Sequence, residues 1–229
     1  MKMNKRKIFV IALAVCLIAV LSMGTLAWFS AEDSIENKFH FADSNDDGKT
    51  DFSVDVMESN DPEGDGLVFE ELLPGASLEK DPTVKNTSSS DKYSQYIRVT
   101  LTLKDPTGAW KAAFDAKRVG EGKYLAFLNE MFKTVDMQNT WELAGSQGVG
   151  YGYDENAKEF FWVFYYKNIL KKGEEVKLFT QVVIPTGLTV ADASAMLSKF
   201  DVTVKAEAIQ SENLGLIYPS AGNAFALLG

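Results

Sequence analysis

Strict two-residue alternation constrains this chain more than any other feature. Phe200, Val202, Val204, Ala206 and Ala208 fall on one side of an extended backbone, with Asp201, Thr203, Lys205 and Glu207 on the other. Successive strand side chains point to opposite faces, so this run fits a half-buried strand; on a helix it would scatter the apolar set around the axis. Tyr93 to Lys104 repeats the pattern, with Tyr96, Arg98, Thr100 and Thr102 opposing Ile97, Val99, Leu101 and Leu103. Phe52, Val54 and Val56 alternate in the same way, and further strands are read from about Ser77 to Lys85 and from Val176 to Ile184, where Pro185 stops the ladder. Phe160 to Tyr166 is continuous in aromatic and β-branched residues, which predicts a strand buried on both faces.

Turn chemistry separates these runs. Asn60 to Gly66 is rich in Asp, Gly and Pro, and Leu73-Pro74-Gly75 suits a type II turn because Pro fixes φ and Gly accepts a positive one. Lys172-Gly173 makes a further turn, and Gly145 to Gly152 reads as a glycine-rich loop. Its Gly148-Val149-Gly150-Tyr151-Gly152 lacks the Lys-Ser/Thr and the helix start of a phosphate loop. Helical spacing enters at Lys123 to Lys133, through Tyr124, Leu125, Phe127, Leu128, Met131 and Phe132, and at Thr189 to Lys199. About eight strands with long connections predict an all-β fold, a two-sheet antiparallel sandwich of jelly-roll type with short peripheral helices.

The first residues obey a different logic. Lys2, Lys5, Arg6 and Lys7 precede a charge-free apolar run from Ile8 to Met23 that ends at small residues, the layout of a secretory signal. Small side chains at Thr25 and Ala27 place the cut between Ala27 and Trp28, giving a signal peptide over 1–27 and one domain over 28–229. The alternative is an uncleaved anchor, since the uncharged window reaching Phe29 can span about 30 Å of hydrocarbon at about 1.5 Å per residue. Cys16 follows Val15 in mid-run, unlike the cysteine of a lipobox. No Leu-Pro-x-Thr-Gly sorting motif marks the small, apolar tail from Ser220, so covalent wall anchoring is not expected.

Charge and cysteine usage narrow the function. The net charge is −9, and removing a leader that holds four basic residues, Lys2, Lys5, Arg6 and Lys7, and no acids makes the exported body more acidic still. Nucleic acid and anionic lipid would be repelled, which leaves membrane contact only through the uncleaved signal. Cys16 is the only cysteine, so the body after the cut can form no disulfide and must rest on its core.

Two local patterns bear on chemistry. Asp43, Asn45, Asp47 and Asp51, with Gly48 between, match the oxygen-ligand spacing of calcium loops. Val54 stands where an EF-hand places its bidentate Glu, and a solvated turn between strands is the alternative. Calcium is thus a possible ligand, and no cofactor is required. His40 is the only histidine and no His-Glu-x-x-His occurs, so a zinc hydrolase site is not expected and the chain reads as a non-enzyme.

Several stretches, in order along most of the chain, resemble the TasA/camelysin family of exported Gram-positive proteins, including its clostridial BsaA-like biofilm-matrix branch, which a dedicated SipW-type signal peptidase processes. They are Gly24-Thr25-Leu26-Ala27-Trp28-Phe29, Asn37-Lys38-Phe39, Leu73-Pro74-Gly75 and Asp81-Pro82-Thr83-Val84-Lys85-Asn86. Tyr96-Ile97-Arg98-Val99, Tyr165-Tyr166-Lys167-Asn168-Ile169-Leu170 with Gly173, and Val204-Lys205-Ala206-Glu207-Ala208-Ile209-Gln210 continue the series.

The resemblance implies a secreted jelly-roll subunit of extracellular biofilm fibres, in which the segment after the cut is added as a donor strand to the next subunit. Residues 28–41 would be that segment, with Trp28, Phe29, Ile35, Asn37, Phe39 and Phe41 as its apolar and register-setting positions. Self-association, an accessory matrix or anchoring subunit and the signal peptidase would be the partners. An ordinary first strand packed on its own body, in a monomeric binding module, remains the alternative, and a metalloprotease of the camelysin kind is disfavoured by the histidine count.

Overall fold

The computed structural model describes residues 30–34, 52–59, 74–117, 123–134, 139–145, 149–186, 201–212 and 220–226. The chain divides into two compact units, Met1–Ser30 and Ala31–Gly229. The sheets belong to the second unit, with Ser30, at the boundary, as the first residue of the first strand. The fold is mostly β, built from antiparallel sheets with a few short helices.

The largest sheet has six strands. At its centre β5 (Gln95–Lys104) pairs on one side with β12 (Val202–Gln210) and on the other with β9 (Glu159–Tyr166). β1 (Ser30–Ser34) lies beyond β12, while β7 (Trp141–Leu143) and β8 (Tyr151–Asp154) share the far edge of β9. The alternation read from sequence sets the faces. Ile97, Val99, Leu101 and Leu103 of β5, Phe160, Trp162 and Phe164 of β9, and Val204, Ala206 and Ala208 of β12 are buried together.

Two three-stranded ladders make up the remaining strands. In one, β4 (Thr83–Asn86) lies between β2 (Val54–Met57) and β10 (Glu175–Lys177). In the other, β11 (Phe179–Val183) lies between β3 (Ser77–Glu79) and β6 (Phe132–Thr134). Glu175 pairs with Lys85 and Val183 with Ser77, separations equal on both chains, so β3–β4 and β10–β11 keep one register across the break at Lys80 to Pro82. The Leu178 amide donates to Pro82 O at 3.0 Å within that break. Val54, Leu78, Val84, Leu178, Phe179 and Val182 belong to the same buried cluster as the large sheet's inner face.

Helices close one side. α1 (Ala109–Lys117) starts after Asp105-Pro106-Thr107-Gly108, where Gly108 has a φ of +71° and buried Asp105 accepts from the Trp110 amide at 3.1 Å and the Lys111 amide at 2.9 Å. A carboxylate there satisfies amides that the helix leaves without intrahelical acceptors and complements its positive end. α2 (Lys123–Met131) buries Tyr124, Phe127, Leu128 and Met131 along one face. Phe127 stacks on Phe114 with ring centroids 3.8 Å apart and meets Phe160 edge-on at 4.7 Å. The Trp162 indole donates to Tyr124 O at 3.0 Å, so α2 is fixed to the sheet by a polar contact as well as by rings. α3 (Ala221–Phe225) is capped by the Ser220 side chain and packs its Ala221, Ala224 and Phe225 with Tyr96 and Ile209, a cluster separate from the main core.

Three expectations change. The helix predicted over Lys123–Lys133 stops at Met131, because Phe132 leaves it to pair with Val182 and to pack on Trp162 and Phe179. β9 is buried on one face only: Phe161, Val163 and Tyr165 are half-buried on the other. The glycine-rich loop ends earlier than its composition suggests, since Tyr151 and Gly152 already pair with Trp162 and Phe161. α1 and α3 went unread in the sequence. The helix predicted over Thr189–Lys199 lies outside the described residues.

Candidate functional site

Edge strands are the chemically distinctive sites of such a fold, because they present unpaired backbone donors and acceptors to another chain. The two edges of the six-stranded sheet differ. Along the far edge, the Ala144 amide donates to Val163 O at 2.8 Å and the Val163 amide to Gly150 O at 2.7 Å, so the chain leaves β9 after Ala144 and rejoins it at Gly150. A β-carbon on Gly150 would stand 1.2 Å from Ala144 O, so only glycine permits the pinch. The excursion breaks that edge, a common protection against unwanted pairing.

At the other edge, β12 runs in unbroken antiparallel register with β5 from Val202↔Leu103 to Gln210↔Gln95. On the polar face of these strands Arg98 of β5 grips Glu207 of β12 with two bonds, Nε to Oε2 at 2.7 Å and Nη2 to Oε1 at 2.9 Å. Glu207 raises the Arg98 pKa above its ordinary value, and the guanidinium also lies 4.6 Å from the Phe225 ring centroid. β12 is therefore held to the sheet along its length, with α3 clamping one end. On its other side it carries β1, a strand of five residues against its nine.

Past that strand, the described body resumes at Phe52, and a buried polar network fastens it there. Gln95 Nε2 donates to Ser53 O at 2.7 Å and to Ser88 Oγ at 3.0 Å, and the Thr87 amide donates to Ser53 O at 3.2 Å. Asn86 Nδ2 reaches Tyr93 O at 2.7 Å and Leu170 O at 2.9 Å, tying β4 to the start of β5 and to the turn after β9. Ser53 is thus firmly held where β2 begins.

The residues singled out from sequence lie outside the described residues: Ala27 and Trp28 at the cut, Trp28, Phe29, Ile35, Asn37, Phe39 and Phe41 of the donor segment, and Asp43, Asn45, Asp47 and Asp51 of the acidic loop. The strand seen inside the donor segment is Ser30–Ser34, upstream of Ile35, Asn37, Phe39 and Phe41. Among the described residues no group of His, Cys, Asp and Glu is placed to hold a metal ion, and no helix is long and apolar enough to cross a membrane. Sequence reading missed the Arg98–Glu207 clamp. Its signal was the place of both residues on polar faces of long alternating runs, which needs the register before it becomes a contact.

Comparison with family models, with curated proteins and with solved structures returns no match for this chain.

Proposed function

We propose that this chain is a secreted, non-enzymatic structural subunit of extracellular biofilm-matrix fibres, related to the TasA/camelysin family. In this reading it is a jelly-roll-like sandwich that assembles when its N-terminal strand, freed by a cut between Ala27 and Trp28, adds to a neighbouring subunit. The observation that carries the reading is β1: Ser30–Ser34, beginning two residues beyond Trp28 of the proposed cut, forms an edge strand on β12. Short added strands exchange between identical subunits because the ladder they complete is the same in cis and in trans. Head-to-tail addition of this kind does not close, so it produces filaments.

The single register running through β3–β4 and β10–β11 supports the second sheet of a sandwich. Calcium at the Asp43–Asp51 loop, an accessory anchoring subunit and a dedicated signal peptidase belong to the same proposal. A second reading keeps β1 docked on its own body in a monomeric binding module, and it is favoured by the pairing within one chain. Electron microscopy of the secreted protein separates the two. Fibres that vanish when residues 28–41 are deleted, while circular dichroism and the melting transition of the body persist, support strand-mediated assembly. A protein that stays monomeric at high concentration with and without calcium supports the binding module.

A further inference from the structure

Glu58 follows β2 and Lys80 sits in the break between β3 and β4, and the Lys80 ammonium donates to Glu58 Oε1. Their side chains are 2% and 9% exposed, respectively. Among the described residues, Glu58 Oε2 is buried without a hydrogen-bond partner. Among the described residues, Glu58 is the acceptor that Lys80 reaches. A buried ion pair offsets the loss of hydration only when its remaining lone pairs and protons are also satisfied. This pair leaves one oxygen orphaned.

The next residue on each strand behaves differently. The Ser59 amide donates to Asp81 Oδ1 at 2.9 Å, the Ser59 hydroxyl bonds Asp81 Oδ2, and Lys177 Nζ reaches Asp81 Oδ2 at 2.7 Å. That half-exposed lysine and its carboxylate are conventionally satisfied, and they pin the backbone beside both Glu58 and Lys80. The buried pair is therefore held in contact by a neighbouring bridge.

We propose that Glu58 and Lys80 are the two halves of an intramolecular isopeptide cross-link. A proton passes from the ammonium to the carboxylate, leaving a neutral amine beside a neutral carboxyl group. The Nζ lone pair then attacks Cδ of Glu58, an Nζ–Cδ bond forms, and the Cδ–OH bond breaks. The departing hydroxyl takes one amine proton and leaves as water. Ammonium and carboxylate become a secondary amide and one water, with no change of oxidation state and no co-reactant.

In open water the hydration of the two ions opposes this condensation. Here that hydration is largely gone before reaction, and groups fixed in contact act at effective concentrations of about 10⁵–10⁸ M. The amide removes both buried charges and consumes one carboxylate oxygen. It also supplies a covalent tie between β2 and the β3–β4 strand in a chain whose sole cysteine is Cys16. β2 follows directly on Ser53, whose carbonyl the Gln95 side chain and the Thr87 amide hold.

The intact mass of the purified full chain, measured after denaturation and compared with the mass expected from its determined N-terminus, tests this directly. The expected result is a chain lighter by one water, and a protease digest containing a branched peptide that joins Glu58 to Lys80. Lys80→Arg keeps the positive charge and lacks the amine nucleophile, and it should restore the full mass. A wild-type chain of full mass, with Glu58 and Lys80 recovered in separate unmodified peptides, overturns the proposal. So does a water loss that persists in Lys80→Arg.

Discussion

Gly150 is the residue on which the far edge of the large sheet depends. Its carbonyl accepts from the Val163 amide of β9 within a space where a side chain would overlap Ala144 O. Gly150→Ala must therefore move backbone, and it should cost about 2–4 kcal/mol in urea unfolding, well above an ordinary loop substitution. Charged residues give a second prediction. Burial pushes the Asp81 and Asp115 carboxyls up, but Lys177 and Ser59 around the first, and Lys111 and Lys123 around the second, hold both below the ordinary value. A carboxyl lowered in the folded state binds protons less readily there than in the unfolded chain. Its stabilisation is complete above the ordinary carboxylate range, near pH 4, and is lost as pH falls through the lowered values. Melting temperatures followed from pH 6 downward should fall steeply below about pH 4, and the double variant Asp81→Asn, Asp115→Asn should flatten that fall.

Among the elements, α2 shows how far sequence carries. Tyr124, Phe127, Leu128 and Met131 declared a helical face, and they are the residues it buries. What they could not declare was the point at which Phe132 stops being a helix residue, because that depends on β11 standing ready to pair. Phe127 is fully buried and contacts Phe114, Phe160 and Trp162. Phe127→Ala should lower stability by about 3–5 kcal/mol, read from the midpoint of chemical denaturation. β5 and β12 were legible to within a residue or two because their alternation is long and strict. α1 was not, since its start rests on Asp105 folding back over several residues to cap it, a contact without a periodic signature. The candidate site divides in the same way. The small, apolar inner face of β12 was visible in Val204, Ala206 and Ala208, whereas its position next to an edge follows from topology, which no local pattern encodes.

At the scale of the whole molecule, buried hydrogen bonds fasten the body at Ser53 and β1 lies as a short strand on β12; the proposed assembly has a neighbour's identical strand take its place. The body is acidic, lacks cysteine after Cys16 and is built around one large sheet whose two edges differ in kind. One edge is pinched by Gly150 and the other is already occupied by an added strand. The sharpest measurement uses two single-cysteine variants with residues 1–27 removed, one with cysteine substituted in turn along Ala31 to Ser34, the other Lys205→Cys on β12. Neither can form the cross-link within its own chain. Mixed at fibre-forming concentration and oxidised, they should yield disulfide-linked heterodimers between the two variants. Fibres that form without such heterodimers at any of the positions would contradict strand exchange at β12.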